Sequence, residues 1–259
     1  MIYRLILIIS LFINPTFSKF PDAIGYNGMV VSSNKYASQI GLDILKNGGN
    51  AIDAAIGVSF ALAVVHPGAG NIGGGGFMVV RTSDGKVTTI DFREKAPSGA
   101  SKDMFLDDSL NVIPGKSWST SLASGVPGSV AGMWMAHEKF GSKPWYDIIR
   151  PSIHLAQYGF KLDPLNCSYL NSNYYKSFLS KDSETKKIFT KSDNFKIGEM
   201  FFQHDLANTL RRIAFNGRDG FYKGETAKNI IKCMERTDGI ISLDDLENYE
   251  PIERNPIEF

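Results

Sequence analysis

Residues 47–96 read NGGNAIDAAIGVSFALAVVHPGAGNIGGGGFMVVRTSDGKVTTIDFREKA, and the order of elements in this stretch decides the fold. Asn50 is a good N-cap, and Asp53 lies in the first turn, where the helix dipole favours a negative charge. The pattern predicts a helix that begins at Ala51 and is ended by His66-Pro67. Small and apolar residues cover every side of this helix, so we expect it to be buried all round in a protein core.

A cluster of glycines follows the predicted helix. Residues 68–73 match the dinucleotide-binding pattern G-x-G-x-x-G in their letters, but that fingerprint must follow a strand and open a helix. The order here is reversed, which argues against nucleotide binding. Two interpretations remain: a flexible turn that lets backbone segments pass closely, or a loop placed against a ligand or another buried segment.

A β-hairpin is predicted next. The β-prone runs 77–80 and 87–90 are joined by residues 82–86, which contain an Asp-Gly turn signal, and we expect two central strands. Residues 91–95 then carry four charges in five positions. Arg93 among them allows two interpretations. It forms a weak surface salt bridge with Asp91 or Glu94, or its planar fork holds a carboxylate of a ligand.

Several segments of the sequence resemble one enzyme family, the γ-glutamyltranspeptidases or glutathione hydrolases. GGNAIDAAIGVSFALAVVHPGAGNIGGGGFMVVR, DFREKAP and ASGVPGSVAGMWMAHEKFG resemble the large-subunit half of these enzymes, and WYDIIRPSIHLAQYGF, DLANTLRRIAFNGRDGFYKGETA and ISLDDLENYE fit as well. The resemblance runs in order from about Tyr26 to Pro256. It implies an α+β fold that is part of the four-layer αββα sandwich of N-terminal nucleophile hydrolases, mostly helical in this part. It also implies that Arg93 binds the α-carboxylate of the γ-glutamyl group.

The resemblance further implies an activity that needs a second part of the protein. Family members are longer precursors that cleave themselves, and a threonine becomes the N-terminus of a small subunit, where its α-amine acts as base. In the family this threonine stands in a Thr-Thr-His context. Here Thr88-Thr89 precedes Ile90, and no threonine of the sequence precedes a histidine. We therefore expect no catalytic residue in this chain, which would be inactive alone. The small-subunit part would carry the threonine, and the substrates would be glutathione and other γ-glutamyl compounds.

Three interpretations of the chain as a whole stay open. It is the large-subunit part of a γ-glutamyltranspeptidase whose reading frame is split, interrupted or incomplete. It is a non-catalytic relic that still binds glutamate or glutathione. Or it belongs to a sister branch, such as the cephalosporin acylases or the capsule-processing transpeptidases. We favour the first.

The N-terminus has the features of a secretory signal peptide. Residues 1–18 contain Arg4, an apolar run over 5–12 and small polar residues before a cleavage point after Ser18. The alternative is an uncleaved membrane anchor, because the cleavage site lacks alanine. Cleavage would leave residues 19–259 as the large-subunit region. Export predicts a periplasmic location if the source is a Gram-negative bacterium.

The composition argues against nucleic acid, metal and cofactor as binding partners and leaves room for a sizeable core. The hydrophobic fraction of 43% suits a sizeable core, and a net charge of +1 argues against nucleic acid as a partner. Cys167 and Cys233 could pair in an exported protein, but we expect two separate thiols. The four histidines have no metal-ligand spacing, so neither a metal nor a cofactor is predicted.

The rest of the chain is predicted to be mostly helical. A short strand is expected at 29–32, a loop over 99–124, and a solvated helix or insertion over 171–196. Pro151 should kink or split the helix that contains it. Ser129 lacks the flanking glycines of a nucleophile elbow and is interpreted as an N-cap instead. The predicted helices cover residues 35–46, 129–140, 145–158, 205–216 and 225–236, with a short capped helix at 242–245.

Overall fold

A computed structural model describes residues 24–257 and shows an α+β arrangement dominated by helices, as predicted. The helices are α1 (Lys35–Lys46), α2 (Ala51–Val65), α3 (Ser129–Phe140), α4 (Trp145–Tyr158), α5 (Pro164–Asn171), α6 (Asn173–Leu179), α7 (Ser183–Phe189), α8 (His204–Asn216), α9 (Asp219–Tyr222), α10 (Gly224–Arg236) and α11 (Leu243–Glu247). The strands are β1 (Phe77–Arg81), β2 (Val87–Asp91), β3 (Phe160–Lys161), β4 (Met200–Phe201) and β5 (Ile252–Arg254). The predicted signal peptide lies outside the described residues. No helix within them has the length and apolar character needed to span a bilayer.

The start of α2 is fixed by reciprocal hydrogen bonds. The Asn50 side chain accepts from the N–H groups of Ile52 and Asp53, and the Asp53 carboxylate accepts from the Asn50 N–H at 2.8 Å. Asp53 is fully buried and also accepts from the N–H and the hydroxyl of Ser142, at 3.0 and 2.5 Å. Burial opposes the charged form, but these hydrogen bonds outweigh it and lower the pKa of Asp53. The capped helix start is thereby joined to the turn after α3.

The end of α2 is satisfied by side-chain amides from other elements. The last carbonyls of a helix lack partners within it, and the apolar sequence of α2 supplies none. Asn34 and Asn166 each donate to the Val65 carbonyl, at 3.2 and 3.1 Å, and Gln203 donates to the Val64 carbonyl at 2.7 Å. All three amide residues are buried. Segments far apart in sequence therefore meet at the end of α2.

The expectation that α2 is buried all round is wrong for one face. Ile56, Phe60 and Val64 are buried among α1, α3 and α4, but Ala51 and Ala55 are exposed. Composition shows that a helix can be buried on every side. Which side is covered depends on its neighbours, and none of the described residues covers this face.

The predicted hairpin forms, but only one of its strands is central. β1 pairs with β2 antiparallel, with Val79 opposite Thr89, and β5 pairs with the other side of β2. Within residues 24–257, β1 is therefore an edge strand. Strands β3 and β4 form a separate antiparallel pair.

Two further expectations are wrong, and a third loses one of its two alternatives. Residues 29–32 form no strand, because no described segment pairs with them, and Val31 is 82% exposed. Pro151 does not split its helix, since α4 continues through it. Ser129 is the first residue of α3, and the N-cap is Gly128, which has no side chain to donate or accept. The other predicted helices form within a residue or two of their expected bounds, and 171–196 contains the exposed helices α6 and α7.

Candidate functional site

Arg93 lies where the chain leaves β2. The preceding residue, Phe92, continues the ladder by donating its N–H to the Gly76 carbonyl at 3.0 Å, and its ring is buried in the core. Successive side chains of an extended segment point to opposite faces. The Arg93 side chain is accordingly exposed, with 62% of its surface accessible. A buried ring thus anchors the backbone directly before an accessible guanidinium.

The guanidinium of Arg93 uses only part of its hydrogen-bonding capacity. Its Nε lies 3.1 Å from a carboxylate oxygen of Glu94, and its central carbon lies 5.8 Å from the centre of the Phe77 ring. The two terminal nitrogens form no hydrogen bond to any residue in 24–257. The predicted surface pair therefore exists, and the outer edge of the fork remains able to bind a carboxylate through two parallel hydrogen bonds.

The backbone of Arg93 is held by the end of the described chain. Its carbonyl accepts from the Tyr249 hydroxyl at 2.8 Å, and its N–H donates to Asp91 at 3.0 Å. Asp91 also accepts from Arg254 Nε at 2.8 Å. The Arg93 N–H and the Arg254 guanidinium together hold the pKa of Asp91 below its ordinary value of 3.8. Strand β5 and the residues just before it thus fix the segment that carries Arg93.

The glycine cluster packs closely against this segment. A Cβ atom on Gly75 would lie 2.9 Å from the Arg93 Cα, and the Gly74 carbonyl accepts from the N–H groups of Gly128 and Ser129 at 2.7 and 2.9 Å. Both interpretations of the glycines involve close approach to another segment, and the structure shows this close approach without choosing between them. The glycines let three backbone segments meet where side chains would keep them apart.

A cavity of about 490 Å³ lies beside the site. The exposed face of α2, the glycine cluster, β1 and the start of α3 line it. Arg93 is not among the lining residues, but Phe77, over whose ring the guanidinium lies, is. Phe77 and Val79 are 61% and 70% exposed. An apolar surface thus continues from the cavity along the edge strand.

The described residues offer an anion-binding group without a nucleophile. Ser129 lines the cavity, but it begins a helix and is not on a nucleophile elbow. Cys167 and Cys233 are both free thiols, as expected, and burial raises the pKa of Cys167, which disfavours the reactive thiolate. No cluster of three or more potential metal ligands occurs within 24–257. What this arrangement can do chemically is bind and orient a carboxylate.

Sequence reasoning selected Arg93 as a candidate but missed the residues that hold its backbone. Tyr249, Glu250 and Arg254 approach the site from 155 or more residues away, through hydrogen bonds to Arg93, Lys95 and Asp91. No spacing rule connects positions so far apart. The only signal was that the segment ISLDDLENYE belongs to the family pattern.

Comparison with known proteins identifies the family. The family model described as Gamma-glutamyltranspeptidase matches residues 37–259. The chain belongs to the γ-glutamyltranspeptidase family. It is 48% identical over 233 residues to a glutathione hydrolase proenzyme of Pseudomonas sp. (strain A14), covering 90% of this chain and 40% of that relative. The chain spans about 40% of the length of this relative and of a glutathione hydrolase proenzyme of Escherichia coli that is 46% identical.

Solved structures of γ-glutamyltranspeptidases share the fold. The crystal structure of Helicobacter pylori γ-glutamyltranspeptidase matches with a TM-score of 0.88 and 44% identity, covering 92% of this chain and 68% of that one. The Bacillus anthracis transpeptidase enzyme CapD matches with a TM-score of 0.73 and 34% identity, covering 90% of this chain and 72% of that one. These matches confirm the predicted α+β fold. The higher TM-score and identity of the Helicobacter pylori enzyme favour the γ-glutamyltranspeptidases over a sister branch.

Proposed function

We propose that this chain supplies the large-subunit part of a γ-glutamyltranspeptidase that cleaves glutathione and other γ-glutamyl compounds. The relative with 48% identity is named a glutathione hydrolase proenzyme, which supports this reaction class. The observation that carries the proposal is the exposed guanidinium of Arg93 on an anchored backbone. Glutathione presents a carboxylate at the α-carbon of its γ-glutamyl group, which is the ligand that such a fork fits.

The role of Arg93 would be to bind and orient the substrate. Two parallel hydrogen bonds from the terminal nitrogens to the α-carboxylate would fix both the position and the rotation of the γ-glutamyl group. The γ-amide would then be held in one place relative to the nucleophile. Holding the reacting atoms in an attack geometry contributes to catalysis because translational and rotational entropy is already lost when the substrate binds and need not be lost in the chemical step.

The chemical step would be carried out by the part of the protein that bears the terminal threonine. Its hydroxyl would attack the γ-amide carbonyl, its α-amine would take the hydroxyl proton, and the amine of the leaving peptide would depart with a proton. Water or an amino acid would then attack the resulting ester and release the γ-glutamyl group. This chain contributes binding and orientation to both steps.

Replacing Arg93 by lysine tests this role. We expect KM for a γ-glutamyl donor to rise roughly tenfold with kcat nearly unchanged, because lysine keeps the charge but loses the planar fork. Steady-state kinetics of the full-length protein provide the measurement. Arg81→Lys is the matched control, since Arg81 is an exposed arginine on the other strand of the same hairpin. Wild-type KM in the Arg93→Lys enzyme would remove Arg93 from the site.

We also propose that the small-subunit part covers the edge of β1 and that residues 1–18 direct export. The unpaired edge and the exposed Phe77 and Val79 support an intramolecular or intersubunit contact there, because such edges otherwise invite aggregation. In the periplasmic fraction of a Gram-negative source we expect this chain to begin at Lys19 and to copurify with a polypeptide whose first residue is threonine. N-terminal sequencing of the copurified chains measures both.

A pair of variants distinguishes a specific contact at the edge of β1 from nonspecific association. Val79→Lys should weaken the copurification, because it places a charge on the proposed contact. Val31→Lys should leave it intact, since Val31 is an even more exposed valine, at 82% against 70% for Val79, and lies outside the sheet. Retention of the partner by Val79→Lys would contradict the contact, and recovery of the chain only from the cytoplasm would contradict export.

A further inference from the structure

Two buried tyrosines are stacked beneath the Arg93 segment. The rings of Tyr222 and Tyr249 lie 5.8 Å apart between centres and 7° from parallel. Tyr222 is fully buried and Tyr249 is 2% exposed. Tyr222 ends the short helix α9, whereas Tyr249 follows α11. The stack therefore joins two elements that lie apart in the sequence.

Each hydroxyl of the stack donates to a different backbone carbonyl. Tyr249 donates to Arg93 at 2.8 Å, and Tyr222 donates to Pro127 at 2.8 Å while accepting from the Ala131 N–H at 3.3 Å. The Arg93 carbonyl belongs to the segment that leaves β2, and the Pro127 carbonyl belongs to the segment that enters α3. Only the Tyr249 hydroxyl reaches the residue whose side chain would bind substrate.

Two cations hold the stack in place. The Arg218 guanidinium lies 4.8 Å from the centre of the Tyr222 ring and donates to the carbonyls of Glu247 and Tyr249. The Lys95 ammonium lies 5.0 Å from the centre of the Tyr249 ring. Burial, followed by the nearby carboxylates of Asp91, Glu94 and Glu250, raises the pKa of Tyr249 to about 12. The hydroxyl is therefore protonated at neutral pH and remains a donor.

The geometry points to Tyr249 as a positioning residue that sets the direction of the Arg93 guanidinium. This inference rests on the proposed function, in which Arg93 binds the α-carboxylate. The backbone sets the direction in which the Arg93 side chain starts, and within the described residues the only ion pair of its guanidinium is with Glu94. The Arg93 carbonyl is held by the Tyr249 hydroxyl, so the loss of that hydroxyl lets the peptide plane rotate. Bidentate binding is sensitive to such rotation because both hydrogen bonds must align.

Tyr249→Phe in the full-length enzyme tests the inference. The ring and its stacking remain, and only the hydrogen bond is removed. We expect a roughly tenfold rise in KM for the γ-glutamyl donor with kcat within about twofold of wild type. The preference for that donor over its α-carboxamide analogue, which lacks the negative charge, should fall by a similar factor. A purely structural role would instead lower the active fraction and leave this preference unchanged.

Tyr222→Phe is the matched control, because it removes a buried hydroxyl from the other half of the same stack. We expect Tyr222→Phe to lower the thermal stability about as much as Tyr249→Phe does, because each removes one buried hydrogen bond. KM and the carboxylate preference should stay as in wild type. An equal loss of preference in Tyr222→Phe would overturn the specific role of Tyr249. So would a Tyr249→Phe enzyme with wild-type KM.

The double variant Arg93→Lys/Tyr249→Phe separates this inference from the proposed function. If Tyr249 acts through Arg93, Tyr249→Phe should add little to the KM of Arg93→Lys. Independent, multiplicative effects would overturn the inference and leave the proposed function intact. A wild-type KM in Arg93→Lys alone would instead overturn the proposed function, and this inference with it.

Discussion

Replacing Gly128 by alanine is expected to lower the free energy of unfolding by about 3 kcal/mol, because the site has no room for a methyl group. A Cβ atom there would overlap both the Phe92 carbonyl oxygen and the Tyr249 hydroxyl. Neither neighbour can move freely, since one is backbone and the other is the hydroxyl of a buried tyrosine, which donates to the Arg93 carbonyl. Close-packed interiors transmit such an overlap as strain or displacement. Chemical unfolding of the full-length protein, followed by circular dichroism, provides the measurement.

Gly73→Ala is the control for this prediction. Gly73 lies in the glycine cluster next to Gly74, whose carbonyl accepts from the Gly128 N–H, but a Cβ atom on Gly73 would meet nothing within 4 Å. We expect a change of less than about 0.5 kcal/mol in the free energy of unfolding, with either sign. Equal effects of the two substitutions would show that Gly128 is needed for backbone flexibility alone and not for its close approach to Phe92 and Tyr249.

The sequence predicted well those elements whose signals are local. The sequence predicts Asn50 as N-cap and Asp53 in the first turn; both are confirmed, and the structure adds the reciprocal hydrogen bonds of a capping box. The Asp-Gly step predicted the hairpin, and Gly85 adopts the positive φ of 86° that the turn requires. In each case the residues that determine the structure lie within a few positions of one another.

The parts that could not be predicted depend on distant contacts. The exposed face of α2 and the unpaired residues 29–32 have compositions suited to a core helix and a strand, and only the arrangement of neighbours decides otherwise. The same is true of Tyr249, whose hydrogen bond to Arg93 spans 156 positions. A tyrosine near the end of a chain carries no sign that it supports an arginine on a distant strand.

For Arg93 the local interpretation and the functional one are both compatible with the structure. The ion pair with Glu94 uses Nε, whereas bidentate binding can use the two terminal nitrogens. An exposed pair of this kind contributes little to stability, about 0.2–1 kcal/mol. The anchoring of the Arg93 backbone by Tyr249 and Asp91 is more than a surface pair needs. It is the arrangement expected where the direction of the side chain matters.

Replacing Asp53 by asparagine should lower the free energy of unfolding at neutral pH by about 3 kcal/mol. The amide has the same shape, but one carboxylate oxygen becomes an NH2 group. In one orientation this group faces the Asn50 N–H and breaks the capping box, and in the other it faces the Ser142 N–H and breaks the link to the turn after α3. In either orientation a buried donor is left facing another donor.

The pH dependence of this loss identifies its cause. Because the folded-state pKa of Asp53 is lowered from 3.8, the ionised carboxylate stabilises the protein above that pH. This stabilisation is lost as the pH falls through the lower, folded-state pKa. Below that pKa, Asp53 is protonated in both the folded and the unfolded protein. The difference in free energy of unfolding between wild type and variant should therefore be constant from pH 7 to about pH 5 and shrink below about pH 4.

Urea unfolding between pH 3 and pH 7 measures this dependence, with Asp43→Asn as the control. Asp43 is exposed and accepts one side-chain hydrogen bond, from Gln39, so its replacement should change the free energy of unfolding by less than about 0.5 kcal/mol. A loss in Asp53→Asn that does not shrink in acid would mean that it comes from the NH2 group facing another donor and not from the missing charge. The ionised form of the carboxylate would then add no stability of its own at the start of α2.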